Sequence, residues 1–242
     1  MTDCLNSSIL VIPAVSSGNV PQLAVDLLIH TLQAPLITRL SDEHVYPIAG
    51  ARDVPSGCIV PSKHITTPVE VYHSNGVTFI QIRSPTLPGQ RSKFVEETIL
   101  PFISKHNFKE TIVVGSASPG YQSHPGSFRF KVYSDSAHGG LVERLKLLKL
   151  DHDQTPIEVE KVPSKLNESG IIVDVLKKVS SACGIVMFAY EGDNFQDGEE
   201  LAEKLVTLLN LKLEGGLWKR PESWKGAYGR EVPIGLEEGL YS

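Results

Sequence analysis

The run SILVIPAV (residues 8–15) limits the fold more than any other stretch of this chain. It is apolar and β-branched, without the polar alternation of a half-exposed strand. It therefore reads as a strand covered on both faces, the situation of a parallel sheet with helices on either side. The next stretch, SSGNVPQLAVDLLIHTL, reads as a helix. Asn19 stands at the N-cap position, Gln22 follows three residues on as in a capping box, and Pro21 lies in the first turn, where a missing N–H costs least. Leu23, Ala24, Leu27 and Leu28 then fall on one face.

The same alternation continues. Leu36 to Leu40 reads as a strand, and Gly50 to Pro68 as a Gly- and Pro-punctuated loop. VEVYHSNGVTFIQIR predicts a β-hairpin in which Asn75-Gly76 supplies the positive φ angles of a two-residue turn. Residues 93–106 look helical, with Pro101 expected to kink or break the helix. TIVVGSA (111–117) is a buried strand, and residues 140–149 are a short charged amphipathic helix. Asp151 to Gly170 is polar and has no readable period. A helix around Val173 to Ser181, the strand GIVMFAY and the loop EGDNFQ come next. A last helix is expected to start at Asp197, with Glu200 completing a capping box. The pattern argues for a layered helix–sheet–helix α/β fold, with a mainly parallel sheet and an appended antiparallel hairpin.

At 242 residues and 41% hydrophobic content the chain can bury one large core. A formal charge of −5 gives no basic footprint for nucleic acid. The apolar runs Ile9 to Ile12 and Gly184 to Tyr190 are too short to cross a bilayer. MTDCLNSS carries an acid where a signal peptide carries Lys or Arg, and Pro13 cuts the following apolar run, so no leader is expected. Cys4, Cys58 and Cys183 are odd in number and widely spaced. That pattern fits reduced thiols better than a disulfide framework or a zinc site.

The catalytic candidates are thin. GSASPG, after the strand at 111–117, resembles a nucleophile elbow, but Gly115 to Ser118 is one residue too long and no helix can follow. The acids Glu191, Asp193, Asp197, Glu199 and Glu200 lie where open α/β sheets bind ligands. Acids in a helix's first turn, however, are the default answer to its macrodipole. No histidine pair has metal-binding spacing, and no phosphate loop or dinucleotide fingerprint is present. No cofactor or metal is expected, and the residues favour a binding protein over an enzyme. An α/β enzyme of phosphorylase or hydrolase type, with an unrecognised site, is the alternative.

Three ordered stretches resemble one family. PAVSSGNVPQLAVDLLI (13–29), YEGDNFQDGEELAEKL (190–205) and RPESWKGAYG (220–229) are similar to segments of the proteasome assembly chaperone family, in its second-subunit branch. Leu240-Tyr241-Ser242 matches the hydrophobic–tyrosine–any motif that fungal members carry at the C-terminus. The resemblance implies a nucleoside-phosphorylase-like α/β domain without catalysis, spanning residues 1–229, and a flexible tail, 230–242. It implies a heterodimer with the first chaperone subunit that docks on the outer face of the proteasome α-ring during core-particle assembly. The setting would be the cytoplasm, with the nucleus as a further location. It places Leu240, Tyr241 and Ser242 in a pocket between α subunits, the one also used by proteasome activators. Extended, Pro233 to Ser242 would reach at most about 35 Å, and the carboxylate could meet a lysine there. Gly18, Asn19, Glu191, Gly192, Asp193 and Asn194 are either turn residues or part of an interface or vestigial crevice. Trp218 and Trp224 either pack the C-terminal segment down or belong to an interface.

Overall fold

The apolar run forms strand β1 (Ile9–Pro13) in the middle of an eight-stranded sheet. The computed structural model describes residues 3–56, 58, 65–122, 128–135, 140–147, 159–167 and 169–225. Besides β1, the sheet contains β2 (Leu36–Arg39), β5 (Val69–Ser74), β6 (Val77–Ile82), β7 (Glu110–Ala117), β8 (Phe130–Tyr133), β9 (Val159–Glu160) and β10 (Ala182–Phe188). Their spatial order is β2-β5-β6-β1-β7-β10-β8-β9. The four central strands, β6, β1, β7 and β10, run parallel. β5 and β8 flank them antiparallel. The hairpin turn is the expected one, with Asn75 at φ 51 and Gly76 at φ 74. The stretch read as loop from Gly50 to Pro68 holds a small separate pair, β3 (Gly50–Ala51) with β4 (Ile65–Thr66).

Side chains of β1 alternate between two cores, as the two-residue period of a strand requires. Val11 joins Ile112, Val114, Ile185 and Met187 beneath α1 (Val20–Thr31) and α6 (Phe195–Leu209). Leu10 and Ile12 join Val113, Val186 and Phe188 on the opposite face. There they meet Phe94, Ile99 and Phe102 of a helical stretch built from α2 (Arg91–Lys93), a π segment (Phe94–Ile99) and α3 (Leu100–His106). Helix α5 (Gly170–Leu176) completes that layer, and α4 (Gly140–Leu147) adds Leu141 and Leu145 to the first. Leu27 and Leu28 of α1 are wholly buried, each contributing roughly 2–3 kcal/mol of apolar transfer.

Four local expectations need correction. Asn19 sits at the N-cap of α1, but its side chain does not cap the helix, and Gln22 closes no capping box. The Gln22 amide is buried, with no hydrogen-bond partner among the described residues. Helix α6 begins at Phe195, two residues before Asp197, and Glu200 turns to Arg129 instead of back to the cap. Helix α5 lies over Gly170–Leu176, three residues ahead of the predicted start, because Gly170, Ile171 and Ile172 join the helix and the chain turns after Leu176. Pro101 breaks nothing. In an α-helix its ring would crowd the Glu97 carbonyl and leave it without a donor. The π segment just before it bonds Leu100 N–H to the Val95 carbonyl, widening the helix where the ring needs room.

A polar seam runs between α1 and the hairpin. Arg83 grips both carboxylate oxygens of Asp26 at 2.8 Å. The Tyr72 hydroxyl donates to Glu70 at 2.7 Å, and Glu70 also accepts from the Thr67 backbone at 3.1 Å. Burial works against the Arg83 guanidinium, but Asp26, with Tyr72 and Glu70, outweighs it and holds the group protonated. Burial, and then Glu70, push the Tyr72 phenol up, so it stays a donor.

Candidate functional site

In open α/β sheets ligands settle outside the carboxyl ends of strands, where neighbouring connections leave to opposite faces. Here that point lies between β1 and β7. From β1 the chain passes through α1 to β2, β5 and β6 on one side of it, whereas from β7 it goes on to β8, β9 and β10 on the other, so the strand order reverses there. Serines from three elements fill it. Ser16 Oγ accepts from the Ser116 N–H at 2.9 Å and lies 3.0 Å from Ser116 Oγ. Ser116 Oγ donates to the Ser17 carbonyl at 2.5 Å, and Ser169 Oγ, just before α5, donates to the Ser116 carbonyl at 2.7 Å.

Beside the serines, the two turns of interest meet. Gly18 has φ +63, and a Cβ there would lie 2.6 Å from Asn194 Cγ. Asn194 is 2% exposed. Its amide nitrogen donates to the Tyr190 carbonyl at 2.7 Å and to Asp197 at 2.5 Å, while its oxygen accepts from Gly192 N–H at 3.0 Å. Asn19 also takes a left-handed conformation, φ 51. Asp193 Oδ1 accepts from the Phe195 N–H at 3.4 Å, and Glu191 is exposed. Gly18, Gly192, Asp193 and Asn194 therefore act in turn geometry that locks the exit of β1 to the exit of β10.

Three acids of this edge, Asp197, Glu199 and Glu200, are engaged by arginines. Arg129, just ahead of β8, contacts Asp197, pairs with Glu200 at 3.2 Å and donates to the Phe188 carbonyl at 2.6 Å. Burial disfavours its charge, and Glu200 together with Asp197 more than restores it. Glu199 pairs with Arg220 at 2.6 Å. Among the described residues no three His, Cys, Asp or Glu side chains converge on a cation position. Ser118 Oγ accepts from Gly120 N–H at 3.3 Å and leads into a 3-10 turn, Pro119–Tyr121, not into the helix of an elbow. Three of the four described histidines bond elsewhere, His30 to the Asp26 carbonyl, His44 to Glu97 and His73 to Thr78, and His106 packs against Phe102 and Phe108.

The stretch after α6, as far as Lys225, forms a strap over α1 and α6. Lys219 N–H donates to Thr31 Oγ1 at the end of α1. Pro221 bridges Pro55, and Glu222 N–H donates to the Val54 carbonyl at 2.8 Å. Trp224 is buried and stacks on Phe195, ring centroids 4.4 Å apart and 13° from coplanar. Of the two readings for Trp224, packing is the one seen; Trp218 is partly buried against the same core. The serine cluster and Arg129 escaped sequence reading, since they interact only through the fold. Two exposed tyrosines, Tyr121 (54%) and Tyr190 (69%), follow the ends of the adjacent strands β7 and β10. Leu240, Tyr241 and Ser242 lie outside the described residues, as does the whole of 226–242.

The sequence pattern of the PAC2 family matches residues 10–208, from the core of β1 almost to the end of α6. The chain belongs to the PAC2 family. Among curated proteins, it is 26% identical to "Proteasome assembly chaperone 2" of Danio rerio, over 93% of this chain and 92% of that one. The protein of that name from Saccharomyces cerevisiae is also 26% identical, over 92% and 95%. The fold is that of PbaA from Pyrococcus furiosus, described as an archaeal homolog of proteasome-assembly chaperone. The TM-score is 0.63, at 16% identity over 97% of this chain and 91% of that one. GNVPQL and EGDN, within two of the stretches that resemble the family, thus meet at the sheet edge through Gly18 and Asn194.

Proposed function

We propose that this chain is a non-enzymatic chaperone in assembly of the proteasome core particle. The observation that carries the reading is its membership of the PAC2 family, with full-length similarity to relatives named for that task. It works as the second subunit of a heterodimer, with residues 1–229 as the domain and 230–242 as a tail. The pair docks on the outer face of the α-ring, and Leu240-Tyr241-Ser242 enters a pocket between α subunits. Supporting this, the crevice where an α/β enzyme would hold substrate is taken up by Ser16, Ser116 and Ser169. Tyr121 and Tyr190 offer aromatic area of the kind interfaces use.

The test is capture of the tagged chain from cell extract, followed by binding to purified α-ring intermediates with and without residues 240–242. A first chaperone subunit and α subunits should co-purify. Removing the three residues should weaken ring binding at least tenfold, since truncating a buried tyrosine anchor costs on the order of 2 kcal/mol. The melting temperature should not move. Capture without any proteasome subunit, or unchanged ring affinity on truncation, would overturn the reading.

A further inference from the structure

The strap ends beside an apolar groove of about 820 Å³, walled by Pro55, Phe195, Leu217, Trp218, Pro221 and Trp224. Leu217 is 78% exposed, yet it is not at a frayed end. It follows Gly215 and Gly216, at φ 78 and 64, a turn that glycine adopts without strain and that holds the side chain outward. Lys219, Arg220 and Lys225 also line the groove. Arg220 is engaged by Glu199 and Lys225 by Glu222, whereas no described acid pairs with the Lys219 ammonium.

We propose that this groove receives the chain's own C-terminal segment, residues 226–242, with Leu240 and Tyr241 as its anchors, whenever no α-ring holds them. The inference rests on the tail-docking function above and adds a means of regulating it. Three observations single out this occupant. The described chain ends at Lys225, which itself lines the groove, so the segment starts at the site. At about 3.4 Å per extended residue it is long enough to turn back across it. Its composition matches: Ile234, Leu236, Leu240 and Tyr241 suit the apolar walls, and Glu231, Glu237 and Glu238 against the single Arg230 suit a cationic rim. Gly235, Gly239 and Pro233 favour an extended strand over a helix.

Tethering makes weak contacts sufficient. A short tether gives an effective concentration near the millimolar range, so an intrinsic dissociation constant of about 1 mM fills the groove half the time. The half-docked tail would then bind rings about twofold more weakly than a free one, because only the released fraction is competent.

The chain supplies its own reporter, since both of its tryptophans line this groove. Tryptophan emission and acrylamide quenching are measured on the full chain, on a Leu240→Ala/Tyr241→Ala variant, on Leu217→Asp and on the combined variant. Loss of the tail anchors should raise the quenching constant, by roughly twofold at half-occupancy. Leu217→Asp, a change at an exposed residue, should do the same, and the combined variant should add little more. Against α-rings, Leu217→Asp should bind about twofold more tightly and the tail variant more weakly. Quenching that ignores the tail variant, or a combined variant whose effects simply add, overturns the proposal. Quenching that responds while rings bind wild type and tail variant alike would instead sink the ring-docking function and leave the groove contact standing.

Discussion

Gly18 and Asn194 face each other at the edge of the sheet, one lacking a side chain where the other fills the space. The left-handed φ of Gly18 and the hydrogen bonds of Asn194 are two halves of one joint. Gly18→Ala should destabilise the chain by about 1–3 kcal/mol through backbone strain and the clash together. Asn194→Ala should cost a similar amount by leaving Gly192 N–H and the Tyr190 carbonyl unpaired. Urea melts of both single variants and the double variant check this. The double variant should cost less than the two singles combined, because removing the amide makes room for the new methyl. Strict additivity would mean that the two residues are not one joint.

The Asp26–Arg83 pair makes a second prediction. Arg83→Ala strands Asp26 and weakens the shell around Glu70, and losing one partner of a buried pair costs about 3–5 kcal/mol. Replacing both together, Asp26→Leu with Arg83→Met, should cost clearly less. Denaturant midpoints of the three proteins decide it; equal losses for single and paired replacement would contradict the buried-pair account.

Thiol chemistry gives a third. Cys4 and Cys58 are exposed, and Cys183 is buried in β10. Burial, and then Glu110, push the Cys183 thiol up, with Arg144 opposing. A thiol reagent should therefore modify two cysteines of the native chain and reach the third only on unfolding. Three thiols reacting in one fast phase would show that β10 opens freely.

The fourth concerns acid. His106 is buried against Phe102 and Phe108, and burial, then Lys105, lower its pKa below the usual 6.5. The partly buried His73 is lowered by burial as well. The unfolded chain then binds more protons than the folded one below pH 6.5. Stability from these sites is full above that value and falls as acidification proceeds toward the lower folded pKa. Denaturation midpoints at about pH 7.5 and 5.5 should drop for wild type and drop less for His106→Phe. A stability that rises on acidification in step with His106 would reverse the assignment.

Legibility in the sequence followed the range of the interaction. β1, α1 and the Asn75-Gly76 hairpin were readable because a strand run, a helical face and a turn dipeptide are each local. The capping boxes at Gln22 and Glu200 failed for a common reason: tertiary packing outbid a local bond, burying Gln22 and giving Glu200 to Arg129. Pro101 misled because a π turn can absorb what an α-helix cannot. At the candidate site, the sequence named Gly18 and Asn194 as turn formers but gave no sign that they meet. Ser16, Ser116 and Ser169 carry no local signal at all, since each looks like an ordinary loop or strand serine until β1, β7 and α5 are side by side.

The position of β1 also has a bearing on how the chain is made. The strand at the centre of the sheet is the first to leave the ribosome, and its neighbours arrive late: Ile9 pairs with Val77 on one side and with Glu110 on the other. At roughly 5–20 residues per second, about a hundred residues of synthesis leave that apolar segment half-paired or unpaired for some 5–20 s. The β5–β6 hairpin, closed by its own turn, is complete by residue 82 and offers β1 its first edge. The first strand of this sheet is thus also the one whose two edges wait longest for partners, an exposure that favours early pairing with the hairpin.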